Sequence, residues 1–304
     1  MASDFRPTGV FVPLVTPYAE DGSVDLDCLE RLTGQVIRDG AAGVVALATT
    51  GEAHMLTEAE QAEVVQRMAA VCASTGAPLI VGAGTNDTYD TIARHEALAG
   101  KPQVRASLAV VPYYVRPSEA AVVAHFQAVA ARSPVPLVVY NIPYRTGRGL
   151  GAEALLELAA TDNIAGVKQA VGGIDTDSLT LLAEAAEGFA VLGGDDAFLF
   201  PLVLMGGAGA IAASSHLCTG RFVDMIECGL RGDVAEGRRH AEALLPLVRA
   251  LFAEPSPAVI KAALHLEGRI PTPAVRMPLS AASADAVERV RTALAAARSA
   301  TPAG

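Results

Sequence analysis

Residues 82–87 read GAGTND, a glycine-rich turn closing the apolar run Leu79–Val81. This stretch decides between two α/β architectures. A doubly wound sheet that binds a dinucleotide needs a third glycine and, about twenty residues on, an acidic partner for the ribose. Here Asp87 stands where the third glycine belongs, and no acidic residue follows at the right distance. The turn therefore belongs to another fold. Around it, short β-branched runs recur at 9–14, 43–47, 79–83, 106–111, 137–140, 164–168, 190–193 and 209–212. Helical patterns fall between them. Thr57 with Glu60 three residues later is a capping box, and Ser118 stands before another helical run. Eight strands each followed by a helix predict a (β/α)8 TIM barrel of the α/β class. After about residue 230 the strands stop. Residues 231–304 read as three helices, with the EPSP stretch at 254–257 as a hinge between two of them. The expected organisation is a catalytic barrel over 1–230 and a C-terminal helical extension over 231–304.

Composition narrows the function. The chain has 304 residues, is 51% hydrophobic and carries a net charge of −10. That charge argues against a nucleic-acid partner. No segment approaches ~20 uninterrupted apolar residues, so no membrane span is expected, and MASDFRPTGV lacks the features of a signal peptide. Cys28, Cys72, Cys218 and Cys228 are scattered without a CxxC pair, which reads as free thiols in a reducing cytoplasm. The six histidines show no HxH or HxxxH spacing, so no metal is expected.

Of 23 basic residues only Lys101, Lys168 and Lys261 are lysines. Lys101 lies in a turn, and Lys261 reads as a snorkelling lysine on a helix surface. Lys168 alone ends a strand, in NIAGVKQA at 163–170. An ammonium is costly in an apolar place unless it is paired or loses its charge. On residues alone Lys168 fits both a buried ion-paired lysine and a nucleophile. In a barrel the C-terminal strand ends share one mouth. There ATTGE (48–52), VPYYVRP (111–117), YNIPYRTG (140–147), Lys168 and GGDD (193–196) come together. An amine, phenols, hydroxyls and an arginine at one mouth suggest Schiff-base carbonyl chemistry, with phenols shuttling protons and the arginine fixing a carboxylate. His54 is a weaker candidate base, and Asp195 or Asp196 reads as a helix cap.

These motifs run through nearly the whole chain, which resembles the pyruvate-dependent class I aldolases, the family of dihydrodipicolinate synthase and N-acetylneuraminate lyase. ATTGE is similar to the family's carboxylate-binding G-T-T-G-E loop, YNIPYRTG to its Y-N-x-P-x-R-T-G segment, and GVKQA to its Schiff-base strand. The resemblance implies that Lys168 forms an imine with pyruvate and that Tyr140 is the general acid/base. It implies a proton relay of Thr49 and Tyr114, with Tyr114 reaching in from a neighbouring subunit, and a homotetramer built as a dimer of dimers. Thr50, Gly194 and Ile211 then bind the keto acid, with no organic cofactor and no metal. Arg145 tilts the resemblance toward the synthases, which condense pyruvate with aspartate 4-semialdehyde in diaminopimelate and lysine biosynthesis. The rival readings are a retro-aldolase or dehydratase acting on a 2-keto-3-deoxy sugar acid or a 4-hydroxy-2-oxo acid, and a non-catalytic keto-acid sensor. Ala48, Gln169 and Val115 depart from the family pattern, Gln169 by removing a charge expected near the iminium. The resemblance also places an inhibitory lysine cleft at Ala53, His54, Glu58, Gln61, Asn86, Asp90 and Tyr113. The missing hydroxyl at Ala53, Gln61 in place of a histidine and the shorter Asp90 predict weak inhibition.

Overall fold

The computed structural model describes residues 5–299. Its strands are β1 (Gly9–Pro13), β2 (Gly43–Ala46), β3 (Leu79–Gly82), β4 (Val104–Val110), β5 (Leu137–Asn141), β6 (Ile164–Gln169), β7 (Ala190–Gly193) and β8 (Gly209–Ile211). They pair in parallel in chain order, and β8 closes onto β1. The strands match the runs read from the sequence, shifted by a residue or two at some ends. They read as near-continuous apolar runs because both faces are buried. Phe11, Val45, Ile80, Val138, Leu192 and Ile211 fill the interior. Their neighbours Val10, Val44, Val81, Val139 and Val167 belong to the outer clusters under the helices. One barrel therefore satisfies both sides of every strand.

Local signals start the helices as expected. Thr57 and Glu60 form a complete capping box, with the Thr57 amide donating to Glu60 Oε2 at 2.8 Å. Ser118 accepts from the Ala121 amide at the head of the helix Glu119–Arg132. Beyond β8 lie the helix Thr219–Arg231 and then Val234–Leu251, Ala258–Leu266 and Ala284–Ser299. The last three are the helices read in the C-terminal stretch. Leu244, Leu247, Ile260, Leu264, Val290 and Leu294 share one apolar cluster with Val10, Val12 and Phe222 of the barrel. The extension is thus packed into the barrel's outer core. Cys28, Cys72 and Cys228 are buried and Cys218 partly so, all as free thiols. Among the described residues, no helix is long and apolar enough to cross a membrane.

Candidate active site

Strand alternation sends successive side chains of β6 to opposite faces. Lys168 enters the barrel and is 5% exposed, and its Nζ lies 4.2 Å from the ring centroid of Tyr140. The two residues are register partners across β5 and β6. Burial pulls the Lys168 pKa down to about 8; the charge of Asp196 pushes it back up and Arg145 lowers it further. Gly194 makes room for this side chain. A Cβ there would sit 2.8 Å from Lys168 Cε and 3.0 Å from its Cγ, closer than packed carbons tolerate. At the adjacent position Gln169 faces the helices. Its Nε2 donates to Ser178 Oγ at 3.1 Å, and its Oε1 accepts from Asn141 Nδ2 at 3.0 Å. The departure at Gln169 therefore lies on the outer side of the strand. A charge at this position would sit across the strand from the amine and not beside it, which corrects the placement read from the sequence.

Tyr140 is 6% exposed, and burial raises its pKa to about 12, while Arg145 and a hydrogen bond with the Thr49 side chain pull it down. Its phenol is neutral at physiological pH and able to give or take a proton through Thr49. Thr49, Thr50 and Gly51 form a short 3-10 turn after β2, with Thr50 buried. Ile211 is fully buried at the end of β8, in the interior layer that holds Tyr140. Arg145 sits exposed at the rim, its Nε donating to the Tyr144 hydroxyl at 3.0 Å. Beside this group opens a cavity of about 430 Å3 lined by Thr49, Tyr140, His54, Tyr113, Gln61 and Arg94. His54 stands at its edge, 6.3 Å from Tyr113 between ring centroids; partial desolvation against the cavity wall and the charge of Arg145 lower its pKa. The fold thus brings Lys168, Tyr140, Thr49, Thr50, Arg145, Gly194 and Ile211 to one end of the barrel.

Tyr114 is the exception. The residue is 88% exposed and does not line the cavity of its own chain. Its backbone has φ +71°, and the Val115 amide donates to the Tyr113 carbonyl at 2.8 Å. Such a one-residue γ-turn is strained for a bulky side chain and persists only where something requires it.

Three sequence readings need correction. Neither Asp195 nor Asp196 caps a helix with its side chain. Asp195 accepts from the Gly172 amide at 2.7 Å, and Asp196 accepts from the Ser214 amide at 2.6 Å. Asp196 is buried, and desolvation raises its pKa to about 6, against the pull of Ser214 and Lys168. It is a buried carboxylate acting on Lys168, and a second Asp in GGDD was its only trace in the sequence. Lys261 is not on the surface: it is 0% exposed and paired with Glu52 at 2.8 Å. Gln169 is the third. Among the described residues, no group of three or more His, Cys, Asp or Glu is placed to hold a metal.

The chain as a whole is similar to known proteins. Residues 6–297 match the dihydrodipicolinate synthetase family. The 4-hydroxy-tetrahydrodipicolinate synthase of Neisseria gonorrhoeae is 39% identical over 288 residues, covering 95% of this chain and 98% of that protein. A solved monomeric dihydrodipicolinate synthase variant superposes with a TM-score of 0.91 at 32% identity, covering 96% of this chain and 97% of that one. The enzyme from Cyanidioschyzon merolae, solved with lysine bound, gives 0.91 at 33% identity, over 96% and 98% of the two chains. With the match running from the first strand through the last helix, this chain belongs to the dihydrodipicolinate synthetase family.

Proposed function

We propose that this protein is a 4-hydroxy-tetrahydrodipicolinate synthase, a lyase that condenses pyruvate with aspartate 4-semialdehyde through an imine on Lys168. The observation that carries the mechanism is a desolvated amine of pKa about 8 in contact with a buried phenol. Neutral Lys168 attacks the keto carbon of pyruvate, and loss of water leaves an iminium. That iminium is the electron sink, so loss of a methyl proton gives an enamine without metal or organic cofactor. The enamine carbon then attacks the aldehyde, and Tyr140 with Thr49 moves the protons. The semialdehyde's own amine attacks the iminium carbon, closing the ring and expelling Lys168 as the free amine. Thr50 donates to the pyruvate carboxylate, while Gly194 and Ile211 bound the pocket in which it lies. Arg145 takes the carboxylate of the semialdehyde. The reaction belongs to diaminopimelate and lysine biosynthesis, and we assign the protein to the cytoplasm. Incubation with pyruvate and a panel of aldehydes tests this directly. The expected product is the cyclised adduct of aspartate 4-semialdehyde. Preferred turnover of sugar-derived aldehydes would move the enzyme to the aldolase branch, and retention of pyruvate without turnover would make it a sensor.

Arg145→Ala should spare imine formation but raise KM for the semialdehyde and lower kcat. A charge-assisted hydrogen bond is worth about 1.5–3 kcal/mol, or roughly 10- to 150-fold in kcat/KM. Steady-state kinetics with each substrate varied separately reads this, and unchanged values for the semialdehyde would make Arg145 structural.

The exposed, strained Tyr114 fits a residue presented to a second subunit, and we infer a homotetramer assembled as a dimer of dimers. Regulation should differ from that of lysine-inhibited relatives. Ala53, His54, Glu58, Gln61 and Tyr113 line the cavity. Asp90, which would meet the ligand's ammonium, is already held by Arg94 Nε at 3.0 Å, and Arg94 also reaches Gln61 Oε1 at 3.4 Å. A second cation must compete with that guanidinium. Lysine should therefore leave initial rates unchanged at sub-millimolar concentration, and clear inhibition there would show that the cleft still accepts it.

A further inference from the structure

The turn that carries Thr49 and Thr50 is tied to the C-terminal helices by a buried ion pair. Glu52 ends that turn in the left-handed region, at φ +56°, its amide donating to the Thr49 carbonyl at 3.1 Å. A non-glycine residue stays there only when its surroundings over-determine it. They do so here. Glu52 Oε1 accepts from Lys261 Nζ at 2.8 Å, and Oε2 accepts from the Arg276 amide at 2.8 Å. Both side chains of the pair are 0% exposed. Lys261 Nζ also donates to the Thr16 carbonyl at 2.8 Å and lies 3.9 Å from the centroid of the Tyr18 ring. Thr16 closes the circuit: its hydroxyl donates to the Gly51 carbonyl at 2.6 Å. The Arg276 side chain adds a bond to the Met55 carbonyl at 2.9 Å and pairs with Glu60, the capping-box glutamate of the next helix.

Two charges without solvent are expensive, and a pair of this kind is weak support for stability as such. Its remaining hydrogen bonds go to the Arg276 amide and the Thr16 carbonyl, and Thr16 in turn holds the Gly51 carbonyl within the short stretch 49–52. That stretch presents the hydroxyls assigned above to the substrate carboxylate and to the proton relay. Lys261 belongs to the helix Ala258–Leu266, outside the barrel.

We propose that Glu52 and Lys261 are positioning residues for the keto-acid carboxylate: the C-terminal extension reaches through Lys261 to set the Thr49–Thr50 turn and hence the affinity for pyruvate. The proposal rests on the reading of Lys168 as the pyruvate lysine. Neither residue touches the reacting atoms, and the tie meets the turn at Gly51 and Glu52, beside Thr50, so the effect falls on KM for pyruvate more than on kcat, with any loss in kcat arriving through Thr49.

The test compares Glu52→Gln/Lys261→Met with Thr16→Val. The double variant removes both charges without orphaning either, and Thr16→Val deletes one hydroxyl at nearly constant volume. KM for pyruvate should rise about tenfold or more in the folded double variant, which loses charge-assisted tethers, and about five- to tenfold in Thr16→Val, which leaves the buried Gly51 carbonyl without its donor. KM for the aldehyde and kcat at saturating pyruvate should stay within about threefold of wild type. Borohydride at saturating pyruvate should still label Lys168 in full. If the double variant does not fold, Thr16→Val decides alone. A folded variant with lowered melting temperature and unchanged pyruvate KM would make the pair merely structural and overturn the proposal. Equal losses in kcat and in both KM values would overturn it too. Wild-type protein that takes up no pyruvate at Lys168 would remove the reading of the site and the proposal together.

Discussion

Lys168→Ala should lose turnover by roughly 10^4-fold or more, because a covalent intermediate has no substitute once its amine is gone. Treatment of wild-type protein with pyruvate and borohydride should leave a reduced adduct on Lys168 alone. With only three lysines in the chain, peptide mapping distinguishes it from Lys101 and Lys261. Lys261 is the instructive control, since burial lowers its pKa to about 8 as well. It is nevertheless locked between Glu52 and the Thr16 carbonyl, so it should take no label. The pH profile follows from the same environment. The attacking form of Lys168 is neutral, so kcat/KM should fall about tenfold per pH unit below about 8 and level off above it. Asp196 favours the ammonium and raises that pKa. Asp196→Asn should therefore move the acid limb to lower pH. Label on another lysine, or a limb unmoved by Asp196→Asn, would contradict this account.

The second large effect concerns Tyr114. Tyr114→Phe should lower kcat by about 10^2 to 10^4, the range for loss of a positioned acid/base group. If the phenol serves a neighbouring subunit, Tyr114→Phe and Lys168→Ala subunits should rescue one another. Mixed dimers then hold one complete site, which has its own Lys168 and the partner's Tyr114. After random exchange, half the dimers are mixed and each regains one of two sites, so recovery should reach about a quarter of wild-type activity. Activity measured after unfolding and co-refolding equal amounts of the two variants gives the answer. No recovery in a preparation shown to contain mixed oligomers would mean that Tyr114 does not act across an interface.

The barrel was legible because its strands are short and buried on both faces. GVFVP, GVVA and LIVG are apolar throughout and bounded by glycine or proline, so their pairing follows from their number and spacing. The Schiff-base candidate was legible for a related reason: a lysine at the end of IAGVK has no polar face to occupy. What stayed hidden depends on contacts between distant parts of the chain. In AVIKAALH, a lysine among alanines looks like a solvated position on an amphipathic helix. Its burial depends on Glu52, 209 residues away, and nothing local announces that partner. Asp196 was hidden similarly, because a carboxylate at the head of a helical run is most often a cap. The outward direction of Gln169 was within reach of the sequence. Strand periodicity alone puts it opposite Lys168, and likeness to a family pattern drew attention to its charge instead of its side.

The alternation on β6 also limits how this enzyme can change. Each successive residue answers to a different client: Lys168 to the chemistry, Gln169 to the helices through Ser178 and Asn141. Substitutions can adjust either client alone, but the chain cannot gain or lose a single residue between Gly166 and Lys168, where β5 and β6 run in continuous register. Such a frame change would turn the amine into the scaffold and the amide into the pocket, exchanging both functions at once. Variation in this lineage should therefore accumulate as replacements along β6 and as length changes only in the loops that flank it.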